Sequence, residues 1–493
     1  MTDMVARYPA LSVELGAVFV LIAAFASRIL LNRLGIPSIV TLLGFGLIAG
    51  PSGIDFVRLD LTNPGTRALL QLAVVIVLFE ATLRLDLRGV PKTTIALLAV
   101  AGPALTLAIV PRVVQAYHFS HLLASMIAAI CIVTGPTVIG PLMARVRPRS
   151  SVAHLLESEG LVLDALGVII AAVVFATYTS RPGTPLEASW QVTQRIGTGI
   201  VLGAAWGVLG RYVLTWTARW SSDISKVGVL LLGLGAYATS EWVSHESGLV
   251  AVVLCGFLLD FRVLPHERLV RAFKEDLSML ALSTVFVLLA SQIRVEQLGP
   301  LVIPAMAIVG ALVGIRVVTV ALATFRSAFT LPERLLTMSV FPRGIVAVSL
   351  ATYYATQIPA WGLRGGDRLA GILFLVVVFT IAISTPSAIA VALRLRLQMP
   401  TVVIAGITPA TLESARRYKR SGHTPVLIDL DEQAVALARS HDFEAVTAID
   451  RLQVARIVRE RGAKILIVDS TARWDDFDRR SLPDLVTVLG PEG

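Results

Sequence analysis

Apolar residues in this chain gather in long blocks instead of alternating or recurring at amphipathic spacing. About thirteen blocks can be followed, near residues 11–31, 37–53, 68–85, 93–111, 122–144, 155–178, 196–216, 226–243, 247–261, 277–293, 299–325, 333–356 and 367–393. Most approach the roughly 17–25 residues a helix needs to cross a hydrocarbon layer. The pattern therefore predicts a polytopic α-helical membrane domain of about thirteen transmembrane helices over residues 1–397. The block at 247–261 is short for a span. The first block has Asp3, Arg7 and Glu14 at its start and no small-residue cleavage site ahead of a polar segment, so it reads as a retained helix and not a signal peptide.

Beyond Arg394 and Arg396 the pattern changes. Thr401–Ile407, Thr424–Leu430, Glu444–Ile449, Ile465–Val468 and Leu485–Leu489 are short apolar runs, and helical stretches such as Pro409–Arg420 separate them. Short strands alternating with helices predict a small α/β, Rossmann-like domain with a parallel doubly wound sheet over residues 398–493. A dinucleotide site on such a sheet needs G-x-G-x-x-G after the first strand, so that backbone amides can approach a pyrophosphate. Here that stretch is Gly406-Ile407-Thr408-Pro409-Ala410-Thr411, which keeps one glycine, while Asp429 or Asp431 ends the second strand where a ribose would be held. The tail resembles the nucleotide-sensing N-terminal domain of potassium-transport regulators, the TrkA-N or RCK type. With two glycines missing, it is expected to be a degenerate dimerising or regulatory version, with nucleotide as a possible but unrequired ligand.

Composition agrees with the membrane reading. Of 493 residues, 55% are hydrophobic and 16% charged, against roughly 25% charged in a soluble globular protein, which excludes an ordinary cytosolic enzyme. The net charge of +9 would suit a nucleic-acid partner, but most of it sits in short turns, where positive charge reports topology. Arg28/Arg33, Arg84/Arg88/Lys92, Arg145/Arg147/Arg149, Arg219/Lys226, Arg262/Arg268/Arg271/Lys274 and Arg326/Arg334 follow the odd-numbered blocks, while Asp55, Asp60, Glu187, Glu241, Glu246 and Glu296 fall in the alternate turns. The first set is then cytoplasmic, the N-terminus outside and the tail inside a cell (inner) membrane. Cys131 and Cys255 both lie in apolar blocks and read as small buried hydrophobes.

Ionisable side chains inside spans are costly and point to function. Away from span ends these are Glu80, Glu159, Asp164, Arg316 and Arg343. Three acids and two bases leave at least one acid without a permanent partner, free to exchange a proton for a cation. Asp164, in the middle of its block, is either that carrier or a structural carboxylate. Glu159 lies five positions earlier, roughly 140° away around a helix, and is expected to pair with Arg316. Glu80 is open to gating, a second proton site or snorkelling. Two blocks are interrupted by Gly/Pro: the fifth at Val133-Thr134-Gly135-Pro136-Thr137 and the twelfth at Val340-Phe341-Pro342-Arg343-Gly344. Such breaks are tolerated at membrane depth only inside protein or beside a cavity, and a matched pair marks a transporter site. Thr134 and unwound carbonyls would offer oxygens to a hard cation, and Arg343 would offset the negative ends of the half-helices.

Together, Thr134-Gly135-Pro136-Thr137, Glu159 with Asp164, Arg316, and Pro342-Arg343-Gly344 resemble the monovalent cation/proton antiporters of the NhaP/NHE branch over residues 11–395. The resemblance implies inverted repeats, crossed unwound helices 5 and 12, homodimers in membrane lipid, and exchange of Na⁺ or K⁺ for H⁺. It also implies Asp164 as the ion-binding carboxylate, a Glu159–Arg316 pair, a contribution from Thr134, and Glu80 near the ion path. The family's usual Thr-Asp-Pro is Thr134-Gly135-Pro136 here, and its Asn-Asp is Leu163-Asp164, so the site has fewer oxygen ligands. One alternating carboxylate implies one-for-one, electroneutral exchange with no cofactor. Two other classes stay open: a gated potassium channel or efflux system controlled by the tail, although no carbonyl filter motif of the Thr-Val-Gly-Tyr-Gly kind is found, and a sodium-coupled organic anion symporter anchored by Arg343. No nucleophile–His–acid or metal-ligand spacing within the spans suggests an enzyme.

Overall fold

The computed structural model describes residues 18–27, 29–30, 38–50, 53–54, 64–83, 92–135, 139, 142–143, 146, 148, 150–179, 185–217, 222–259, 277, 279–287, 290–291, 295–327, 329–395, 397, 401–420, 423–429, 431–440, 443–447, 465–468 and 487–489. Contacts divide the chain into two units, the first running to Val391 apart from residues 146–150, the second made of those residues and everything from Ala392 onward.

The first unit is helical. Its elements are α1 (Val18–Ser27), α2 (Ser38–Ala49), α3 (Pro64–Leu83), α4 (Lys92–Gln115), α5 (His121–Ile130), α6 (Ser150–Thr179), α7 (Pro185–Thr217), α8 (Ser222–Val243), α9 (Gly248–Leu258), α10 (Val295–Thr324), α11 (Leu331–Ser339), α12 (Ile345–Ala360) and α13 (Gly366–Arg394). Further helical residues lie between 277 and 291. Among the described residues, α4, α6, α7, α10 and α13 are each long and apolar enough to cross a membrane alone. The short ninth block gives a real but short helix, α9.

Two sets of helices can be told apart: α7, α8 and α9, the last two also against α3, and α4 with α5 and α10, the last also against α11; α12 packs against both α3 and α5. The α7–α9 contact runs along Gly199, Gly203 and Gly207, where an added Cβ would press on Ser247, Ala251 and Leu258. Small residues at four-residue spacing let helices meet at backbone distance, a substitute for the hydrophobic drive that lipid cannot supply.

The fifth and twelfth blocks are both broken. Helix α5 stops at Ile130 and its chain continues without helix through Val133–Gly135; Val340–Gly344 separate α11 from α12. The breaks cross at their glycines, where a Cβ on Gly344 would overlap the Gly135 Cα. The Gly135 amide donates to the Pro342 carbonyl at 3.1 Å. Pro136, expected in the same interruption, lies outside the described residues.

The second unit holds a five-stranded parallel sheet of β1 (Thr401–Ala405), β2 (Thr424–Asp429), β3 (Glu444–Thr447), β4 (Ile465–Val468) and β5 (Thr487–Leu489), in the order β3-β2-β1-β4-β5. This is the order of a doubly wound fold. Val402, Val403, Ile404 and Ala405 of the central strand are fully buried, as a parallel strand covered on both faces must be. Helices α14 (Pro409–Arg420) and α15 (Glu432–Ser440) follow β1 and β2. The helical stretch expected between β3 and β4 lies outside the described residues.

The crossing gives a direct test. Gly344→Ala should lower stability by about 1–3 kcal/mol through overpacking, read as a fall in melting temperature in detergent. Gly310→Ala on α10, where an added Cβ meets nothing within 4 Å, should leave it unchanged.

Candidate functional site

A broken helix in a membrane frees amides and carbonyls that lipid cannot satisfy, and here protein groups take them up. Beyond the end of α5, the Ile132 and Val133 carbonyls accept from Arg343 Nη1 at 3.2 and 3.1 Å. On the other break, Arg343 N donates to Thr380 Oγ1 at 3.2 Å and Phe341 N to Ser384 Oγ at 3.0 Å. The Ser339 carbonyl, last in α11, accepts from Ser384 and Ser387 at 3.0 and 3.3 Å. Helix α13 thus services the second break with three small hydroxyls, and Arg343 services the first from the second. Its Nη1 is committed to these carbonyls, a poor start for anchoring an organic anion. Of the unwound carbonyls, those of Ile132, Val133 and Pro342 each accept a protein donor.

Helix α6 lies against this crossing. Gly167 allows it, since a Cβ there would overlap the Val133 side chain and come within 3.2 Å of the Val133 amide. One helical turn earlier is Asp164, 2% exposed, with neither carboxylate oxygen hydrogen-bonded to protein. The Thr134 amide and the Arg343 guanidinium are within electrostatic reach of it, yet neither closes a hydrogen bond. Thr134 Oγ1 and Arg343 Nε are also buried without partners. Four orphaned polar atoms therefore share the crossing, each costing roughly 1–3 kcal/mol or more if left so, and an ionised Asp164 more still. A proton or a cation on the carboxylate removes that cost.

Glu159 has the opposite environment. Arg316 of α10 grips it with both terminal nitrogens, Nη1 on Oε1 and Nη2 on Oε2 at 3.0 Å, and its Nε donates to the Thr337 carbonyl of α11 at 3.2 Å. The pair ties α6, α10 and α11 together. A cavity of about 40 Å³ lies alongside, lined by Thr134, Glu159, Arg316, Arg343, Thr106 and Thr319 among others; that volume suits one or two waters or a small ion. Its lining includes Leu163 but not Asp164. Glu80, 5% exposed on α3, does not line it either. A larger groove of about 700 Å³ beside Tyr117, Pro304 and Arg368 includes no residue of the crossing.

In the second unit the turn after β1 is closed on its own side chains. Gly406 has the left-handed φ of +93°, and its carbonyl accepts from Thr411 Oγ1 at 2.8 Å. The Ile407 amide donates to Asp429 Oδ2 at 2.7 Å and the Thr408 amide to Thr411 Oγ1 at 2.8 Å, while Pro409 has no amide to offer. Asp429 Oδ1 accepts from the Asp431 amide, and Asp431 Oδ1 caps α15 through Gln433 N, both at 2.9 Å. Amides and carboxylates that would meet a pyrophosphate and ribose are taken by the turn itself.

Crossed broken helices around a buried acid define a polytopic membrane transporter. The sodium/hydrogen exchanger transmembrane family model matches residues 19–393, and the chain belongs to that family. A probable Na⁺/H⁺ antiporter 2 of Methanocaldococcus jannaschii is 24% identical over 72% of this chain and 89% of its own. The K⁺/H⁺ antiporter NhaP of Alkalimonas amylolytica is 23% identical over 88% of this chain and 76% of its own. The fold is similar to that of the sodium proton antiporter MjNhaP1 of Methanocaldococcus jannaschii, solved at pH 8, with a TM-score of 0.65 and 21% identity over 78% of this chain and 98% of that one.

The Glu159–Arg316 pair predicts non-additive mutants. Glu159→Leu alone strands a buried guanidinium and should cost about 3–5 kcal/mol, whereas Glu159→Leu with Arg316→Met should recover most of it. Thermal unfolding of the two single mutants and the double mutant checks this.

Proposed function

We propose that this protein is a secondary antiporter that exchanges Na⁺ or K⁺ for H⁺ by alternating access, with Asp164 as the shared cation and proton site. The observation that carries this is the pair of Asp164 oxygens, buried against two unwound segments with no protein donor closing on either. A carboxylate so placed takes a proton or a cation, never both, and one alternating charge gives one-for-one, electroneutral exchange. Thr134 Oγ1 is the nearest candidate for an additional ligand. Arg343 holds the crossing in shape and supplies a fixed positive charge, and Glu159 with Arg316 is structural. Glu80 keeps the role of an acid near the ion path that the family resemblance suggests.

The relatives' names, one a Na⁺/H⁺ and one a K⁺/H⁺ antiporter, support the monovalent cation class. Gly135 and Leu163, where the family usually has Asp and Asn, leave a site with few oxygens, which suits a larger, less strongly hydrated cation. The distribution of arginine and lysine supports an external N-terminus and a cytoplasmic tail in the cell membrane, and the family supports a homodimer. The closed turn at Gly406 supports a regulatory tail, residues 398–493, that works without nucleotide.

In proteoliposomes carrying a pH gradient, Na⁺ or K⁺ added to the wild type should discharge the gradient. Asp164→Asn should fall to the level of protein-free liposomes while keeping its melting temperature. Cation-dependent proton flux retained by Asp164→Asn would remove that residue from the mechanism.

A further inference from the structure

Away from the crossing, a second acid is buried in a setting the exchange mechanism does not use. Glu246 sits in the turn between α8 and α9, 8% exposed, with a left-handed φ of +71°, a conformation uncommon outside glycine. The Glu241 carboxylate of α8 brackets that turn, accepting from the Glu246 amide at 2.9 Å and the Gly248 amide at 3.2 Å. The bracket turns the Glu246 side chain inward. There its Oε2 accepts from Arg195 Nη1 of α7 and from Thr179 Oγ1 at the end of α6, both at 3.3 Å. Its Oε1 is buried and has no partner.

The cluster joins the two sets of helices. Arg195 and the Glu246 turn belong to the α7–α9 set. Thr179 is on α6, which the Glu159–Arg316 pair ties to α10. Arg195 also donates to Thr179 at 2.8 Å and lies 5.6 Å from the ring centre of Trp361, just after α12. Arg195 therefore keeps two contacts whatever the charge on Glu246. The carboxylate does not fare as well: one oxygen is served by Arg195 and Thr179, while the other is buried without a hydrogen bond, with the Trp361 side chain as its nearby donor.

We propose that Glu246 is a second proton-binding site, and that its protonation holds α6 and α12 against the α7–α9 helices at this end of the molecule. Burial raises the Glu246 carboxyl from 4.5 to about 7, with help from Glu241 and against the opposing charge of Arg195 and the Thr179 and Trp361 side chains. The other titratable groups around it are Tyr237 on α8, Tyr353 and Tyr354 on α12, and His245, which is exposed and 3.6 Å from Glu241. A group whose value is raised in the closed state binds its proton best there. Acid therefore favours the closed cluster, and closure weakens as pH rises through about 7. Between pH 6 and 8, values of about 7 closed and 4.5 open change the closing equilibrium about tenfold.

Amide hydrogen exchange on the full-length protein in detergent tests this without depending on transport. After correction for the intrinsic rate, peptides covering 176–179, 244–248 and 358–363 should lose about tenfold protection between pH 6 and 8 in the wild type. Glu246→Gln should stay protected at both, and His245→Ala should behave as the wild type. Protection that does not change with pH in the wild type, a change that survives in Glu246→Gln, or one abolished by His245→Ala would each overturn the proposal. Should Glu246→Gln fail to fold, the wild type against His245→Ala decides. Cation-dependent proton flux retained by Asp164→Asn, together with the expected hydrogen-exchange profile, would sink the exchanger reading and leave this one standing.

Discussion

Unsatisfied backbone is the constraint that shapes this membrane domain. Two helices stop inside an apolar layer, and each stop exposes groups that neither lipid nor water is there to meet. The chain answers by letting the breaks cross. The Pro342 carbonyl takes the Gly135 amide, and the Arg343 guanidinium, carried by one break, reaches the Ile132 and Val133 carbonyls of the other. Gly344 is needed, because the backbones approach too closely there for a Cβ. With the ends so engaged, Arg343 is fixed where its charge is felt at Asp164 without locking to it.

The two acids of α6 show how environment separates roles. Glu159 and Asp164 are five residues apart and both buried. One is closed by a two-pronged arginine. The other faces a crossing where no donor closes a hydrogen bond on it. The same helix therefore carries a paired acid and an unpaired one, and the paired acid joins α6 to α10 and α11.

Much of this was legible in the sequence. The breaks were visible because glycine and proline interrupt otherwise continuous apolar blocks, and Asp164, Arg316 and Arg343 stood out because charge is rare there. The alternation of short apolar runs gave the parallel sheet of the tail, with β1 and β2 close to their expected limits. Thr380, Ser384 and Ser387 were not legible. Small hydroxyls are ordinary in a span, and nothing local reveals that these three meet backbone amides or a carbonyl some forty residues away. Gly167 was hidden among the chain's 37 glycines, since close approach depends on the partner and not on neighbours in sequence. The early stop of α5 at Ile130, ahead of the Gly135-Pro136 pair, was hidden likewise: the carbonyls just beyond it, of Ile132 and Val133, are met by Arg343, distant in sequence.

The central claim is that a proton and a cation compete for one carboxylate. Proton release on cation addition, measured with the purified protein in weakly buffered detergent solution, tests it most directly. About one proton should leave per Na⁺ or K⁺ bound, and none from Asp164→Asn. Saturable cation binding by the wild type with no proton released would contradict it.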